Sequence, residues 1–172
     1  MSLRLREARL TDLPFLREML YEGVFWRARP DRPTFEEGLA LPDVKKELAN
    51  WGERDGDTAV IATIDSMPIG ASWYRFWTAD AGSGGYVDEA TPVLAVAVHR
   101  DHRHQGIGRK LIKRLIEQAA AQSVSLISLS VSKDNYALRL YRQLGFEVHT
   151  DRGDALTMVR RTDDGEVDPR SG

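Results

Sequence analysis

The sequence predicts an α/β fold, a single domain with a mixed sheet flanked by helices, and three observations favour it. The chain has 172 residues, close to the commonest size of one domain. Segments with strand-like and helix-like periodicity alternate along it, without an internal repeat or an interdomain linker. A continuous apolar run at 93–98 precedes an amphipathic segment from Ile107, the pattern of a strand covered on both faces followed by a helix.

Each predicted element follows from a local pattern. Leu3–Arg6 alternates apolar and basic residues, as half-buried strands do, and Asp12 ahead of Pro14 predicts the start of a helix. Two prolines end that helix, and Pro42 interrupts the next helical stretch. The predicted elements are, in order, a strand at 3–6, helices at 13–26 and 34–50, strands at 58–64, 69–76 and 93–98, a helix at 107–119, a strand at 125–131, a helix at 136–144, and strands at 146–150 and 155–160.

The remaining segments predict loops and a tail. The loop at 78–88 has a glycine-rich centre, 82–85, which predicts flexibility. Gly145 predicts the end of the helix before it. We expect the folded domain to span 1–161, with 162–172 as a polar, disordered tail.

Composition excludes several classes of function. The chain carries 24 Lys and Arg against 26 Asp and Glu, so no net positive field recruits nucleic acid or an anionic membrane. It contains no cysteine, which excludes disulfides, Cys-ligated zinc and a thiolate nucleophile. No segment predicts a signal peptide or a membrane span, so we expect a cytoplasmic protein without a membrane partner. His99, His102 and His104 have few carboxylates nearby, and we predict no metal site.

The turn between the apolar run and the following helix is the strongest candidate for a binding site. The first amides of a helix have no partner within it and attract anions, and Gly106 and Gly108 let a phosphate approach them closely. Local charge agrees, because residues 99–114 contain one acid, Asp101, and six basic residues, which are Arg100, Arg103, Arg109, Lys110, Lys113 and Arg114.

Three better-known phosphate motifs do not match. The segment has GxG without the third glycine of a dinucleotide fingerprint, and it lacks the GxxxxGK followed by Ser or Thr of a Walker A loop. The triplet His99-Arg100-Asp101 matches the catalytic triplet of protein kinases, but Gly106 occupies the position at which a kinase has Asn.

Two motifs resemble those of the GNAT superfamily of N-acetyltransferases. The spacing at 103–108, Arg-His-Gln-Gly-Ile-Gly, is similar to the family's acyl-CoA-binding motif Q/R-x-x-G-x-G/A. Asn135, Ala137, Tyr141 and the pair at 145–146 resemble its second signature. The resemblance implies a mostly antiparallel sheet splayed at its central strands, and transfer of an acetyl group from acetyl-CoA to a primary amine.

The same resemblance assigns roles to residues. Tyr141 would protonate the departing thiolate, and Asn135 would bind the cosubstrate near its reactive end. Backbone groups of the central strand would bond the pantetheine arm, while amides and charges of the turn would hold the pyrophosphate. The residues concerned are Val96, Ala97 and Val98 in the strand, and Arg103, His104, Gln105, Gly106, Ile107, Gly108 and Arg109 or Lys110 in the turn.

The general base is the least defined part of this mechanism. An amine is mostly protonated at neutral pH and must lose a proton before it attacks a thioester. Relatives often have Pro-Glu-Leu before the strand, whereas this chain has Pro92-Val93-Leu94. Glu89, or its neighbour Asp88, is the substitute that the sequence offers, acting through water. Since no cysteine is present, transfer would be direct, in a ternary complex.

Other interpretations stay open. The chain could be a non-catalytic acyl-CoA-binding or sensing module, or could bind a different nucleotide. Tyr141 could be a core residue, and Asn135 could cap a helix. The acceptor, a small molecule or a peptide amine, is not specified by the motifs, and a homodimer is common among relatives. A set of aromatic residues could line an acceptor pocket: Phe25, Trp26, Trp73, Tyr74 and Trp77.

Overall fold

The computed structural model describes residues 2–163, and these form the predicted α/β fold. The strands are β1 Leu3–Glu7, β2 Thr58–Ile64, β3 Met67–Arg75, β4 Val93–Val98, β5 Leu126–Ser132, β6 Glu147–Asp151 and β7 Ala155–Arg161. The helices are α1 Leu13–Val24, α2 Phe35–Ala40, α3 Pro42–Lys45, α4 Ile107–Ala121 and α5 Ala137–Gln143. Within the described residues, the seven strands form one mixed, mostly antiparallel sheet in the order β1-β2-β3-β4-β5-β7-β6.

Contacts along the chain group these elements into two compact units. The first comprises the residues up to Trp73 together with Ala95–Leu115. The second comprises Tyr74–Leu94 and the residues from Ile116 onward. The boundaries fall inside β3, β4 and α4, so each of these three elements contributes residues to both units.

In the first unit, α1 buries one face against strand residues. Leu16, Met19 and Leu20 follow the helical period and are at most 5% exposed. They share a hydrophobic cluster with Ile61 of β2 and Ala71 of β3. β1 extends this layer by antiparallel pairing with β2. Removing this apolar surface from water is the main favourable contribution to the folding of the unit.

The helix predicted over 34–50 is instead two short helices followed by turns. Leu41 lies between α2 and α3 with φ −62° and ψ 131°, because the ring of Pro42 disfavours helical geometry at the residue before it. The hydroxyl of Thr34 accepts a hydrogen bond from the backbone N–H of Glu37 at 3.2 Å, which caps α2. The helical stretch and its interruption at Pro42 are therefore as predicted, but the helix ends at Lys45, short of the predicted end at Asn50.

Two boundaries also shift in the first unit. α1 ends at Val24, two residues before its predicted end. β3 begins at Met67, because Asp65 and Ser66 complete the turn alone with φ values of 50° and 69°. Two consecutive residues with positive φ are typical of the tight turn that joins twisted antiparallel strands.

In the second unit, the glycine-rich loop is fastened to the sheet. The hydroxyl of Ser128 donates to the carbonyl of Gly85 at 2.7 Å, and that of Thr157 donates to the carbonyl of Gly84 at 2.7 Å. A Cβ on Gly85 would lie 2.5 Å from Cγ1 of Val93. These glycines allow close packing, and hydrogen bonds hold 84–85 against the sheet in the loop for which the sequence predicted flexibility.

β4 occupies the middle of the sheet, as predicted, and each of its faces has one buried residue, but its burial is incomplete. Leu94 and Ala97 are buried, whereas the other four residues of the strand are only partly buried. β4 starts parallel to β5, with Val93 opposite Ser128. Splaying of the strands beyond that pair stays a prediction.

The predicted tail begins with two anchored residues. The backbone N–H of Thr162 donates to the carbonyl of Ser125 at 3.0 Å, and its hydroxyl donates to the carbonyl of Val124. Asp163 forms an ion pair with Arg161 at 3.1 Å. The rest of the predicted tail, 164–172, lies outside the described residues.

Arg6 and Asp12 form a two-pronged ion pair that fixes the start of α1. Nη1 and Nη2 of Arg6 each donate to one oxygen of Asp12 at 2.8 Å, and the backbone N–H of Arg9 donates to the same carboxylate at 2.7 Å. Asp12 is 8% exposed, so these bonds are partly shielded from water. Hydrogen bonding by Arg6, the largest cause, lowers the pKa of Asp12 from its ordinary value of 3.8.

We expect Asp12→Asn to destabilise the fold by about 1–3 kcal/mol at neutral pH, because it removes charge-assisted hydrogen bonds. A lowered folded-state pKa makes the contribution of Asp12 fully present above 3.8 and lost as the pH falls through the lowered value. Urea unfolding of both proteins between pH 7 and about pH 2.5 should show the gap in unfolding free energy narrowing in acid. A gap that stayed constant over this range would contradict the assignment.

Candidate functional site

The chain leaves β4 through a short hydrogen-bonded turn in the first unit. The backbone N–H of His99 donates to the carbonyl of Ile69 in β3 at 2.7 Å, which keeps the end of β4 against its neighbour. A single 3-10 turn follows at Arg100–His102, and α4 begins at Ile107. Four exposed or partly exposed residues, 103–106, therefore connect the strand to the helix.

Two residues of this connection have a left-handed backbone conformation. His104 has φ +63° and Gly106 has φ +79°, and such conformations direct neighbouring N–H groups toward one side. Within residues 2–163, and apart from its chain neighbours, no atom would lie within 4 Å of a Cβ on Gly106, so the space beside it is open. The backbone N–H of Lys110 bonds the carbonyl of Gly106 at 3.3 Å, and the amides before it belong to the first turn of α4. The turn thus offers amides to an anion.

The side chain of Arg103 is held by hydrogen bonds to β4 and α1 and does not extend over the turn. Its Nε donates to the carbonyl of Val98 at 3.0 Å, and its Nη2 donates to Glu22 at 3.3 Å. Glu22 also pairs with Arg32 at 3.4 Å and with Arg100 at 3.8 Å. The guanidinium of Arg103, which the sequence predicts to face an anion, is therefore paired with the carboxylate of Glu22 on α1.

Sequence reasoning missed Glu22. The residue lies 81 positions before Arg103, and nothing in the local pattern of α1 marks it as the centre of an arginine cluster. Its side chain is 17% exposed, so three guanidinium groups face a largely buried carboxylate. The arrangement fixes the base of the turn by charge-assisted hydrogen bonds.

The predicted pantetheine strand, 96–98, lies beside the end of α1. A Cβ on Gly23 would be 3.5 Å from Cβ of Ala97 and 3.8 Å from the carbonyl oxygen of Val96. Gly23 therefore lets the helix approach the strand closely. The structure brings 96–98 together with the whole predicted turn, 103–109, because both belong to the first unit.

Asn135, Tyr141 and Glu89 belong to the second unit. The side-chain oxygen of Asn135 accepts a hydrogen bond from the backbone N–H of Ala137 at 2.9 Å. Asn135 therefore caps the start of α5, which is one of the two roles expected for it from the sequence. Glu89 is exposed in the turn before β4, next to Asp88, whose carboxylate accepts from the N–H of Ala90 at 3.0 Å.

Tyr141 is a buried residue of α5, 8% exposed, and its ring meets that of Phe146 edge to face at 5.9 Å. Burial, the larger cause, and the nearby Tyr136 raise the pKa of Tyr141 well above its ordinary value of 10.0. The phenol therefore stays protonated at neutral pH, and its O–H is available as a hydrogen-bond or proton donor.

The aromatic residues considered for an acceptor pocket divide into two groups. Trp73, Tyr74 and Trp77 are at most 5% exposed and belong to the buried layers. Phe25 and Trp26, by contrast, are partly exposed at the end of α1. The guanidinium carbon of Arg27 stands 4.5 Å above the ring of Trp26.

Residues 2–163 were also searched for two other features. They contain no group of three or more His, Cys, Asp or Glu side chains arranged to hold a metal ion. None of the helices in the same range is sufficiently long and apolar to cross a membrane.

Comparison with known proteins identifies the family. The model of the acetyltransferase (GNAT) family matches residues 21–146, more than half of the chain. An L-methionine sulfoximine/L-methionine sulfone acetyltransferase of Pseudomonas aeruginosa is 27% identical over 86% of this chain and 82% of its own length. A [ribosomal protein bS18]-alanine N-acetyltransferase of Escherichia coli is 39% identical over 38% of this chain and 45% of its own length.

The fold is shared with solved structures. The PaiA N-acetyltransferase of Thermoplasma acidophilum, solved in complex with coenzyme A, matches with a TM-score of 0.66 and 18% identity over 94% of this chain and 99% of its own. Together with the family match, this likeness agrees with the open turn after β4 and with both sequence motifs. The chain belongs to the GNAT family of acetyltransferases and is an acyltransferase.

Proposed function

We propose that this protein transfers an acetyl group from acetyl-CoA directly to the primary amine of an acceptor. The observation that carries the proposal is the open turn at Gly106, directly before the first-turn amides of α4, where a Cβ would meet no neighbouring atom of the described residues within 4 Å. Membership of the family supports it, and so does the coenzyme A complex of the Thermoplasma relative.

The residues of the turn suit the diphosphate of acetyl-CoA. Amides from His104 to Arg109 would bond its oxygens, and the helix dipole would favour its negative charge. The ion pair with Glu22 partly neutralises Arg103. The positive charge that faces the ligand would therefore come from Arg109 and Lys110. Backbone groups of 96–98 would bind the pantetheine arm, and Asn135 would bind near the thioester.

In the transfer step, the amine nitrogen attacks the thioester carbonyl carbon, and the bond from that carbon to sulfur breaks with its electron pair left on sulfur. Tyr141 would donate its phenolic proton to this sulfur as a hydrogen bond. Loss of water raises the proton affinity of a thiolate as well as that of a phenol, so the bond can proceed to proton transfer. The acceptor nitrogen loses a proton in the same reaction, for which Glu89 acting through water is the proposed base.

The acceptor is an amine of low molecular weight or the N-terminus of a peptide. Two relatives act on one or the other, since the Pseudomonas enzyme is named for amino acid derivatives and the Escherichia coli enzyme for a ribosomal protein alanine. A homodimer, a cytoplasmic location and the lack of a nucleic-acid or membrane partner stay predictions from the sequence.

Gly106→Val should weaken acetyl-CoA binding at least tenfold and leave the rest of the fold intact. The new Cβ has no neighbouring atom of the described residues within 4 Å, so the side chain would occupy the space proposed for the diphosphate, and φ of +79° adds about 1–2 kcal/mol of backbone strain. Isothermal titration calorimetry measures the affinity. Gly153→Val is the matched control, since Gly153 has φ +95° and equally open surroundings elsewhere. Unchanged affinity in the Gly106 variant would count against the turn.

Tyr141→Phe should lower kcat by about a hundredfold or more and leave the KM for acetyl-CoA nearly unchanged, because it removes a proton donor from the leaving group. Thiol release with a panel of amines gives both constants. The control is Tyr74→Phe, which removes a buried hydroxyl that donates to Gln122 at 2.7 Å and should cost stability alone. Equal kcat values in wild type and Tyr141→Phe would remove Tyr141 from the mechanism, and acetyl-CoA binding without turnover of any amine would favour the sensing module.

A further inference from the structure

A small pocket in the first unit lies where the chain leaves α1. Its volume is about 210 Å³. The lining is formed by one continuous segment and consists of Val24, Phe25, Arg27, Arg29, Asp31, Arg32 and Pro33. Aliphatic and aromatic side chains form one part of the wall, and ionised side chains form the rest.

The charged part of the lining is basic. Three arginines, Arg27, Arg29 and Arg32, stand against a single acid, Asp31, in a chain whose net charge is −2. Arginine presents a planar fork of donors that matches the two oxygens of a carboxylate. The composition of the wall therefore favours an anionic ligand over a cationic one.

Arg32 has a donor with no partner. Of the buried side-chain nitrogen and oxygen atoms within residues 2–163, only the Nε of Arg32 lacks a hydrogen bond. The guanidinium is held from two sides, by Glu22 at 3.4 Å from Nη2 and by the ring of Tyr21, 4.6 Å below its central carbon. Buried donors are nearly always satisfied, so this unpaired N–H on a fixed side chain indicates an acceptor atom from a ligand.

The loop around this arginine is itself fixed. The hydroxyl of Tyr21 donates to the carbonyl of Pro33 at 2.5 Å, and the backbone N–H of Arg32 donates to the carbonyl of Arg29 at 3.2 Å. A ligand would therefore meet side chains that are already arranged, which lowers the entropic cost of binding.

The segment that lines the pocket follows the part of α1 that approaches β4, the strand that the proposed function assigns to the pantetheine arm. Gly23, the residue before the first lining residue, would place a Cβ 3.5 Å from Cβ of Ala97 and 3.8 Å from the carbonyl oxygen of Val96. The pocket, this strand segment and the turn at Gly106 all belong to the first unit.

We propose that Arg29 and Arg32 bind the carboxylate of the acceptor, so that the enzyme selects free amino acids over amines without a carboxylate and over peptide N-termini. This inference rests on the proposed acetyl transfer. A volume of about 210 Å³ suits a small molecule, since pockets for larger ligands start at roughly 300 Å³. A peptide has no carboxylate beside its N-terminal amine to meet the arginines.

The test compares three acceptors that differ in the carboxylate. They are L-methionine sulfone, its decarboxylated counterpart 3-(methylsulfonyl)propylamine, and a short peptide that begins with alanine. We expect wild type to acetylate the amino acid with at least a tenfold higher kcat/KM than the amine or the peptide. Arg29→Gln and Arg32→Gln should each lower that value about ten- to hundredfold, mainly through KM for the amino acid.

The same variants should leave three quantities unchanged: kcat/KM for the decarboxylated amine, KM for acetyl-CoA, and the melting-temperature rise caused by coenzyme A. Arg17→Gln is the matched control, because Arg17 is an exposed arginine of α1 outside the pocket. It makes the same change of charge and should behave as wild type with all three acceptors.

A binding measurement covers the case of slow turnover with these probes. In the presence of coenzyme A, N-acetyl-L-methionine sulfone should raise the melting temperature of wild type and not of Arg32→Gln. Equal acetylation of the three acceptors, or equal losses with the amine and the amino acid in the variants, would overturn the inference while acetyl transfer stands. Loss of the coenzyme A shift and of all turnover in wild type would overturn the proposed function itself.

Discussion

The passage from β4 into α4 depends on a backbone that reverses hand at Gly106, and the proposed chemistry depends on that passage. With φ of +79° and, among residues 2–163, no neighbouring atom within 4 Å of a Cβ, this residue leaves open space directly before the first amides of α4. A side chain there would fill the space in which a diphosphate could meet the helix dipole. The conformation is therefore both a requirement of the turn and the reason it can bind.

Charge around the turn is distributed by contacts that are remote in sequence. Glu22 forms ion pairs with Arg32, Arg100 and Arg103, and these pairs join the end of α1 to the base of the turn. One guanidinium, that of Arg103, serves the architecture through Val98 and Glu22. Another, that of Arg32, keeps a buried donor unpaired beside a small pocket. The carboxylate of Glu22 thus contacts one arginine of the pocket wall and two arginines at the base of the turn.

Much of the fold could be predicted from the sequence, because the patterns were local. The apolar run at 93–98, the amphipathic helix after it and Gly106 all appear where they were expected. The failures arose where distant residues decide. Gly85 packs against Val93 and accepts from Ser128, contacts that no local pattern records.

The candidate site was predicted in part for the same reason. The glycines and the motif spacings of the site can be recognised in the sequence. The ion pairs of Glu22 and the unpaired Nε of Arg32, by contrast, arise only when α1 packs beside the turn. Burial of Tyr141 likewise follows from the packing of α5, and it sets the protonation state that the proposed chemistry uses.

The central claim is that backbone amides at the start of α4 bind the diphosphate. The most direct measurement is the two-dimensional ¹H–¹⁵N spectrum of the labelled protein during titration with coenzyme A and, separately, with pantetheine, which lacks the diphosphate. The account predicts large shifts of the Gly106, Ile107 and Gly108 amides with coenzyme A and little change at these amides with pantetheine. Saturable binding of coenzyme A that left these three amides unmoved would contradict it.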